Sequence, residues 1–128
     1  DMPMNHKIFL AQFDAIKKLA GEGPCVMVGR CADYALADWS DCFSIFVHAD
    51  IDWRINRIAS KHGKTPKEAK DMITKTDKSR ASYYNYYTNK KWGAAKSYNL
   101  CIDSGKFGID NTVKMLIQSI KTFDAISK

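Results

Sequence analysis

Hydrophobic positions fall along the chain in two patterns, a helical period and short unbroken runs. From Asn5 to Ala20, the residues Phe9, Phe13, Ile16 and Ala20 recur at i, i+4, i+7 and i+11. That spacing puts them on one apolar face and predicts a helix. Gly21-Glu22-Gly23-Pro24 then ends it. Cys25 to Gly29, CVMVG, is a short unbroken apolar run, the pattern of a strand covered on both faces. Cys31 to Asp38 suits a short helix. Phe43 to Val47, FSIFV, reads as a second buried strand. Asp50 is placed to cap a helix running to about His62, with Ile51, Ile55 and Ile58 on one stripe. The break His62-Gly63-Lys64 is followed by Thr65-Pro66-Lys67-Glu68, a capping box with proline at the first helical position. The helix it starts is predicted to run to about Tyr87. Tyr98 to Asp103, YNLCID, reads as a third strand. Asp110 is placed to cap a last helix, with Val113, Leu116, Ile117, Ile120 and Phe123 turned inward.

Strands that alternate with helices predict an α/β fold with a parallel sheet. Three strands of nearly unbroken apolar character call for covered faces and for neighbours on both sides. A free edge of that kind invites unwanted pairing, so at least one further strand is expected beside these three. No repeat, linker or low-complexity stretch divides the chain, and residues 1–128 are expected to form a single domain.

Composition narrows the class. The chain is 45% hydrophobic and 27% charged, ordinary for a globular domain with a real core. No apolar run approaches the ~20 residues that a membrane span needs. The opening DMPMNHK is not followed by the apolar segment of a secretion signal. Cys25, Cys31, Cys42 and Cys101 form no CxxC pair. They read as reduced thiols rather than zinc ligands, which points to a cytoplasmic protein.

Charge changes the picture more. The net charge is +6, but Arg54 to Lys96 holds 12 Lys and Arg against three Asp and Glu. The other residues together are net negative. A focused basic region attracts phosphates, whether of a nucleotide or of a nucleic-acid backbone. A solvated basic helix face remains the plainer alternative.

The candidate chemistry lies at strand ends and on the long helix. CVMVG ends in Gly29-Arg30, with Asp33 three residues on. In open parallel sheets, ligands bind beyond the carboxyl ends of strands, so Arg30 and Asp33 are candidates for phosphate and hydrogen-bond contacts. Asp77 and Arg80 are three apart and share a helix face, with Tyr84 one turn beyond. Asp77 could hold a sugar hydroxyl, Arg80 a phosphate oxygen, and Tyr84 a base. An intrahelical Asp–Arg pair worth under ~0.5 kcal/mol explains the same spacing. Arg54 and Arg57 also share a face, with Lys61 beyond them. Phosphoryl transfer needs positive charge placed around the transferring group, and a basic helix pair hinged at His62-Gly63-Lys64 could close to supply it. His6, His48 and His62 are scattered and show no metal-ligand spacing. Tyr83, Tyr84, Tyr86, Tyr87 and Trp92 could stack on single-stranded nucleic acid, though such rings more often pack a helix onto its domain. No GxxxxGK[ST] loop occurs in the 128 residues.

Three blocks, VGRCADYAL, DKSRASYYNYYTNKKWG and YNLCIDSGKFGIDN, occur in this order. Together they resemble the cytidylate kinase-like family, a branch of the P-loop nucleoside monophosphate kinases, from about Phe9 to Ile120. The resemblance implies a three-layer, parallel-sheet P-loop kinase fold that is incomplete here, because the first strand and P-loop fall outside the printed residues. It implies that 1–128 is the carboxyl-terminal part of such a fold, with a helical lid at about 51–90. It implies ATP-dependent phosphorylation of a nucleoside monophosphate, CMP or a related pyrimidine nucleotide, with ATP and Mg2+. The 128 residues alone would then be inactive. In the family a Gly-Arg-Asp motif follows a strand. Carried over, its Arg is Arg30 and its Asp is Asp33, here separated by Cys31 and Ala32. An Arg-x-x-x-Asp-x-x-Arg pattern contacts the acceptor's phosphate and sugar. Asp77 and Arg80 match its last two positions, and Ile73 stands at its first. The expected catalytic set is Arg54, Arg57 and Arg80. The expected substrate-binding set is Arg30, Asp33, Asp77, Arg80 and Tyr84, with no metal ligand. The partners expected are the two nucleotides, with no membrane and no nucleic acid, and with an oligomer left open. The alternative is a non-catalytic nucleotide-binding or basic RNA-binding domain.

Overall fold

The computed structural model describes residues 2–127, with side chains from His6 onward. The chain packs as two compact units, Asp1–Cys42 and Phe43–Lys128.

The first unit is built on α1, Met2–Glu22, and α2, Ala32–Ala35. The expected stripe of α1 is its packing face. Phe9 and Ile16 are buried, and Phe13 and Ala20 pack around a core of Ile16, Ala35 and Leu36 that Met27, Trp39 and Cys42 complete. Phe9, Phe13 and Tyr34 form a ring cluster with centroids 5.9–6.4 Å apart. CVMVG departs from expectation and is not a strand. Met27 packs on the core, while Val26 and Val28 are 89% and 88% exposed. Met27 alone turns inward, Cys25 being exposed as well; among the described residues no strand pairs with this run, and a strand is stable only in a ladder.

The second unit opens with β1, Ile45–His48, then α3, Ile51–His62, and α4, Pro66–Thr88. A 3-10 turn at Ala95–Ser97 leads to β2, Leu100–Asp103, then α5, Ser104–Phe107, and α6, Ile109–Ser127. β1 and β2 pair in parallel, Ile45 opposite Leu100 and His48 opposite Asp103. The parallel sheet was legible, yet it has two strands among the described residues and not three or more. Asn99 locks its start, since its Oδ1 accepts from the Ser44 N–H at 2.9 Å and its own N–H donates to the Ser44 carbonyl at 3.0 Å.

The helix signals held to within a few residues. Thr65 Oγ1 accepts from the Glu68 N–H, and Glu68 Oε1 accepts from the Thr65 N–H, which closes the predicted box. That geometry holds the Glu68 carboxyl below its ordinary range, first through the Thr65 backbone N–H. Gly63, at φ 61°, ends α3 in the left-handed conformation that glycine adopts freely. Asp50 occupies the N-cap of α3, but its side chain makes no cap bond. α6 begins at Ile109, so Asp110 lies in its first turn rather than at its cap. Its expected inward face is another correction. Val113, Ile117 and Ile120 are exposed, while Phe123 stacks on Phe43 at 4.9 Å and Thr112 is buried. The helix is amphipathic as its pattern says, but its stripe is covered only in part among the described residues, with Leu116 half-buried and Phe123 on Phe43. No helix among the described residues is long and apolar enough to cross a membrane.

Candidate active site

β1 and β2 are parallel, so their carboxyl ends lie on one side of the sheet, and α3 starts just beyond β1. Close packing fixes that start. A Cβ on Gly105 would come within 3.2 Å of both Ala49 Cβ and Trp53 Cγ, so a larger residue would push the β2 turn and α3 apart by a few tenths of an ångström. Asp103 closes this turn, its Oδ1 accepting from the N–H groups of Gly105 and Lys106 at 3.0 and 3.1 Å.

The α3–α4 pair and the end of β1 enclose a cleft of about 480 Å³. Arg54, Arg57, Asp77 and Arg80 all line it, with Trp53, Trp92, His48 and His62. Four of the residues expected from sequence are therefore brought together. The pairing among them differs from the i, i+3 expectation. Asp77 makes its short contact across the helix pair, its carboxylate oxygens 2.8 and 2.9 Å from Arg54 Nη2. Arg80 Nη1 stands 3.7 Å from Asp77 Oδ1, an ion-pair distance too long for a hydrogen bond. The Arg57 guanidinium lies over the Trp53 ring, 5.8 Å from its centroid, a cation–π arrangement. Three guanidiniums around one cleft with a single carboxylate make it a basic, anion-attracting surface.

Tyr84 is not part of that surface. It is 6% exposed, with its ring against Tyr98 at 6.0 Å. Tyr98 stacks on Phe46 at 4.8 Å, and Phe46 meets Trp92 edge-on at 5.3 Å. The expected base-stacking ring is instead a packing element that anchors the end of α4, which is the commoner fate of an aromatic at helical spacing. Tyr83 and Tyr87 pair at 4.9 Å, and Tyr86 and Tyr87 at 4.8 Å. Ile73, at the Arg position of the family pattern, is a buried residue of α4 that borders the cleft.

Arg30 and Asp33 belong to the first unit. Gly29, Arg30 and Cys31 have φ of 68°, 58° and 57°, a tight turn into α2. Asp33 Oδ1 accepts from the Tyr34 N–H at 2.9 Å. Burial, aided by the Asp33 charge, pushes the Cys31 thiol from its ordinary 9.0 up to about 11. The Cys42 thiol is also raised, by burial first and then by Asp33. Of the four thiols, Cys31 is buried, Cys42 and Cys101 are half-buried, and Cys25 is exposed.

Sequence reasoning missed Trp53, His48 and His62 as cleft residues. A signal for Trp53 was present, because it precedes Arg57 by one turn on the face that starts the basic region. Among the described residues, no group of three His, Cys, Asp or Glu side chains could hold a metal ion.

A family model described as the cytidylate kinase-like family matches residues 1–106. The chain is also similar to the crystal structure of an uncharacterized protein from Eubacterium ventriosum ATCC 27560. The TM-score is 0.86 at 36% identity, over 90% of this chain and 65% of that one. The chain thus spans about two thirds of that protein's length at most. No curated protein matches. With a family model matching 106 of its 128 residues, the chain belongs to the cytidylate kinase-like family.

Proposed function

We propose that, within its whole protein, this chain carries the acceptor and lid side of a P-loop nucleoside monophosphate kinase. ATP would be the phosphoryl donor, and CMP or a related pyrimidine monophosphate the acceptor. The observation that carries the reading is the convergence of Arg54, Arg57 and Arg80 on one cleft at the carboxyl end of a parallel strand. Phosphoryl transfer asks little covalent chemistry of a protein. It asks for positioning and for positive charge where equatorial phosphate oxygens sit. Forked guanidiniums suit those oxygens geometrically.

An acceptor phosphate oxygen would attack the γ-phosphorus of ATP as the bond to the β–γ bridging oxygen breaks, releasing ADP. Arg57 and Arg80 would neutralise the charge that spreads over the transferring group. Arg30 and Asp33, on the turn after CVMVG, would contact the acceptor's phosphate and base. Magnesium would arrive with the nucleotide phosphates, since no group of carboxylates among the described residues forms a site of its own. The glycine-rich cradle for the β- and γ-phosphates is not in the printed residues and would be supplied by the rest of the protein. The mutual pairing of the tyrosine rings lends no support to stacking on single-stranded nucleic acid.

The test is steady-state kinetics of the full-length protein with ATP, Mg2+ and each pyrimidine monophosphate. CMP or a relative should be phosphorylated. Arg57→Ala should lower kcat/KM by about 10- to 100-fold, the weight of one charge-assisted phosphate contact. No turnover of any nucleoside monophosphate by well-folded wild-type protein would sink the reading.

A further inference from the structure

The proposed kinase reading gives Asp77 a sugar hydroxyl to bind, but the geometry points to a different use of its carboxylate. Both oxygens face one nitrogen of Arg54, at 2.8 and 2.9 Å. The pair is half-buried, with side-chain exposures of 30% for Arg54 and 24% for Asp77. A sugar hydroxyl would have to displace a charge-assisted contact to reach Asp77. Arg54 has more to offer than it spends. A guanidinium carries five N–H donors, and the contact to Asp77 engages Nη2 alone.

The contact also crosses from α3 to α4, between residues 23 apart in sequence. It therefore fixes Arg54 relative to the helix that carries Arg80. Arg80 is treated differently. Its 3.7 Å separation from Asp77 and its 60% exposure leave its guanidinium free to move toward an anion.

We propose that Asp77 is a positioning residue that acts through Arg54, holding that guanidinium in the cleft for a phosphate group while Arg80 closes on the same ligand. This rests on the reading of the cleft as a phosphate site. It replaces the sugar contact with an electrostatic one, and the two make opposite predictions for a ligand that has no sugar. Charge adds a second discrimination. Deleting a carboxylate makes the cleft more positive, so charge alone would tighten anion binding. Loss of positioning weakens it, because Arg54 must then be ordered when the ligand binds.

Titration calorimetry of the full-length protein with inorganic tripolyphosphate, a probe without sugar or base, separates these outcomes. Asp77→Asn should weaken tripolyphosphate binding by about tenfold. In an Arg54→Ala background the same substitution should have no further effect. Asp77→Glu keeps the charge, should recover part of the affinity, and carries the test if Asp77→Asn fails to fold. The inference is overturned if folded Asp77→Asn binds tripolyphosphate as well as or better than wild type. It is equally overturned if wild type binds none. The kinase reading fails on a separate readout. A tenfold loss in Asp77→Asn without turnover of any monophosphate would uphold the positioning role and reject the enzyme.

Discussion

Gly29, Arg30 and Cys31 run through three successive left-handed backbone conformations. Such a conformation costs an L-residue roughly 1–2 kcal/mol, and strain of this kind tends to collect at functional sites. Arg30 is exposed, so burial does not explain an arginine at that position. Arg30→Gly separates structure from function because the two effects have opposite signs. Removing the Cβ relieves about 1 kcal/mol of strain, partly offset by a freer unfolded chain, so Tm should hold or rise. If the side chain contacts the acceptor's phosphate, kcat/KM for the monophosphate should fall by about tenfold or more. A variant that melts earlier with unchanged kinetics would make Arg30 a structural residue only. The grouping of the candidate residues was partly legible in the sequence. Arg54, Arg57, Asp77 and Arg80 could be picked from spacing on helices, and they do share a cleft. The pairing of Asp77 could not be picked, because its nearest sequence partner, Arg80, is not its shortest contact, and the choice is made by packing of α3 on α4.

Helices were read better than strands, for a physical reason. A helix satisfies its own backbone, and its ends are written in local chemistry. Thr65, Pro66 and Glu68 gave the start of α4 to the residue, and Gly63 gave the end of α3. A strand needs a partner that local sequence does not name. CVMVG has a buried strand's apolar run but no ladder among the described residues, whereas Ile45–His48 has one in Leu100–Asp103. The capping box also sets the joint between the two basic helices. Thr65→Ala removes the acceptor for the Glu68 N–H and should cost about 1 kcal/mol, read as a lower urea midpoint with an unchanged slope. The acid side of the stability curve should change as well. Glu68 has its folded carboxyl pKa lowered by the box, so the wild-type box stabilises fully above the unfolded pKa and weakens as pH falls through the folded one. Without Thr65 that acid-dependent loss should shrink. An unchanged midpoint at neutral pH would mean that α4 is held by packing alone.

At the scale of the molecule, charge and anchoring divide the α3–α4 pair unequally. The surplus of nine positive charges from Arg54 to Lys96 repels itself unless anions lie nearby. Phosphate in the cleft would relieve that repulsion and favour a closed arrangement, provided it binds closed better than open. The resemblance implies a helical lid at about 51–90, and the packing suggests a more specific motion. The carboxyl end of α4 is tied to the sheet through Tyr84, Tyr98 and Phe46. Asn85 adds a bond there, its Oδ1 accepting from the Trp92 N–H at 2.7 Å. The other end, around Gly63, is exposed on both helices and joined by a left-handed turn. The pair should therefore rock about its Tyr84 end. Hydrogen exchange on the full-length protein, with and without a bisubstrate nucleotide analogue, can read this directly. Protection should rise over residues 51–80 on adding the analogue. Residues 84–98 should change little, because their rings are already packed, and α6 should not change because it lines no part of the cleft. Equal protection throughout 51–80 in the two states would make the helix pair a fixed surface. A rise that extended undiminished through Tyr84 to Tyr98 would mean that the aromatic anchor moves too, and that closure hinges elsewhere.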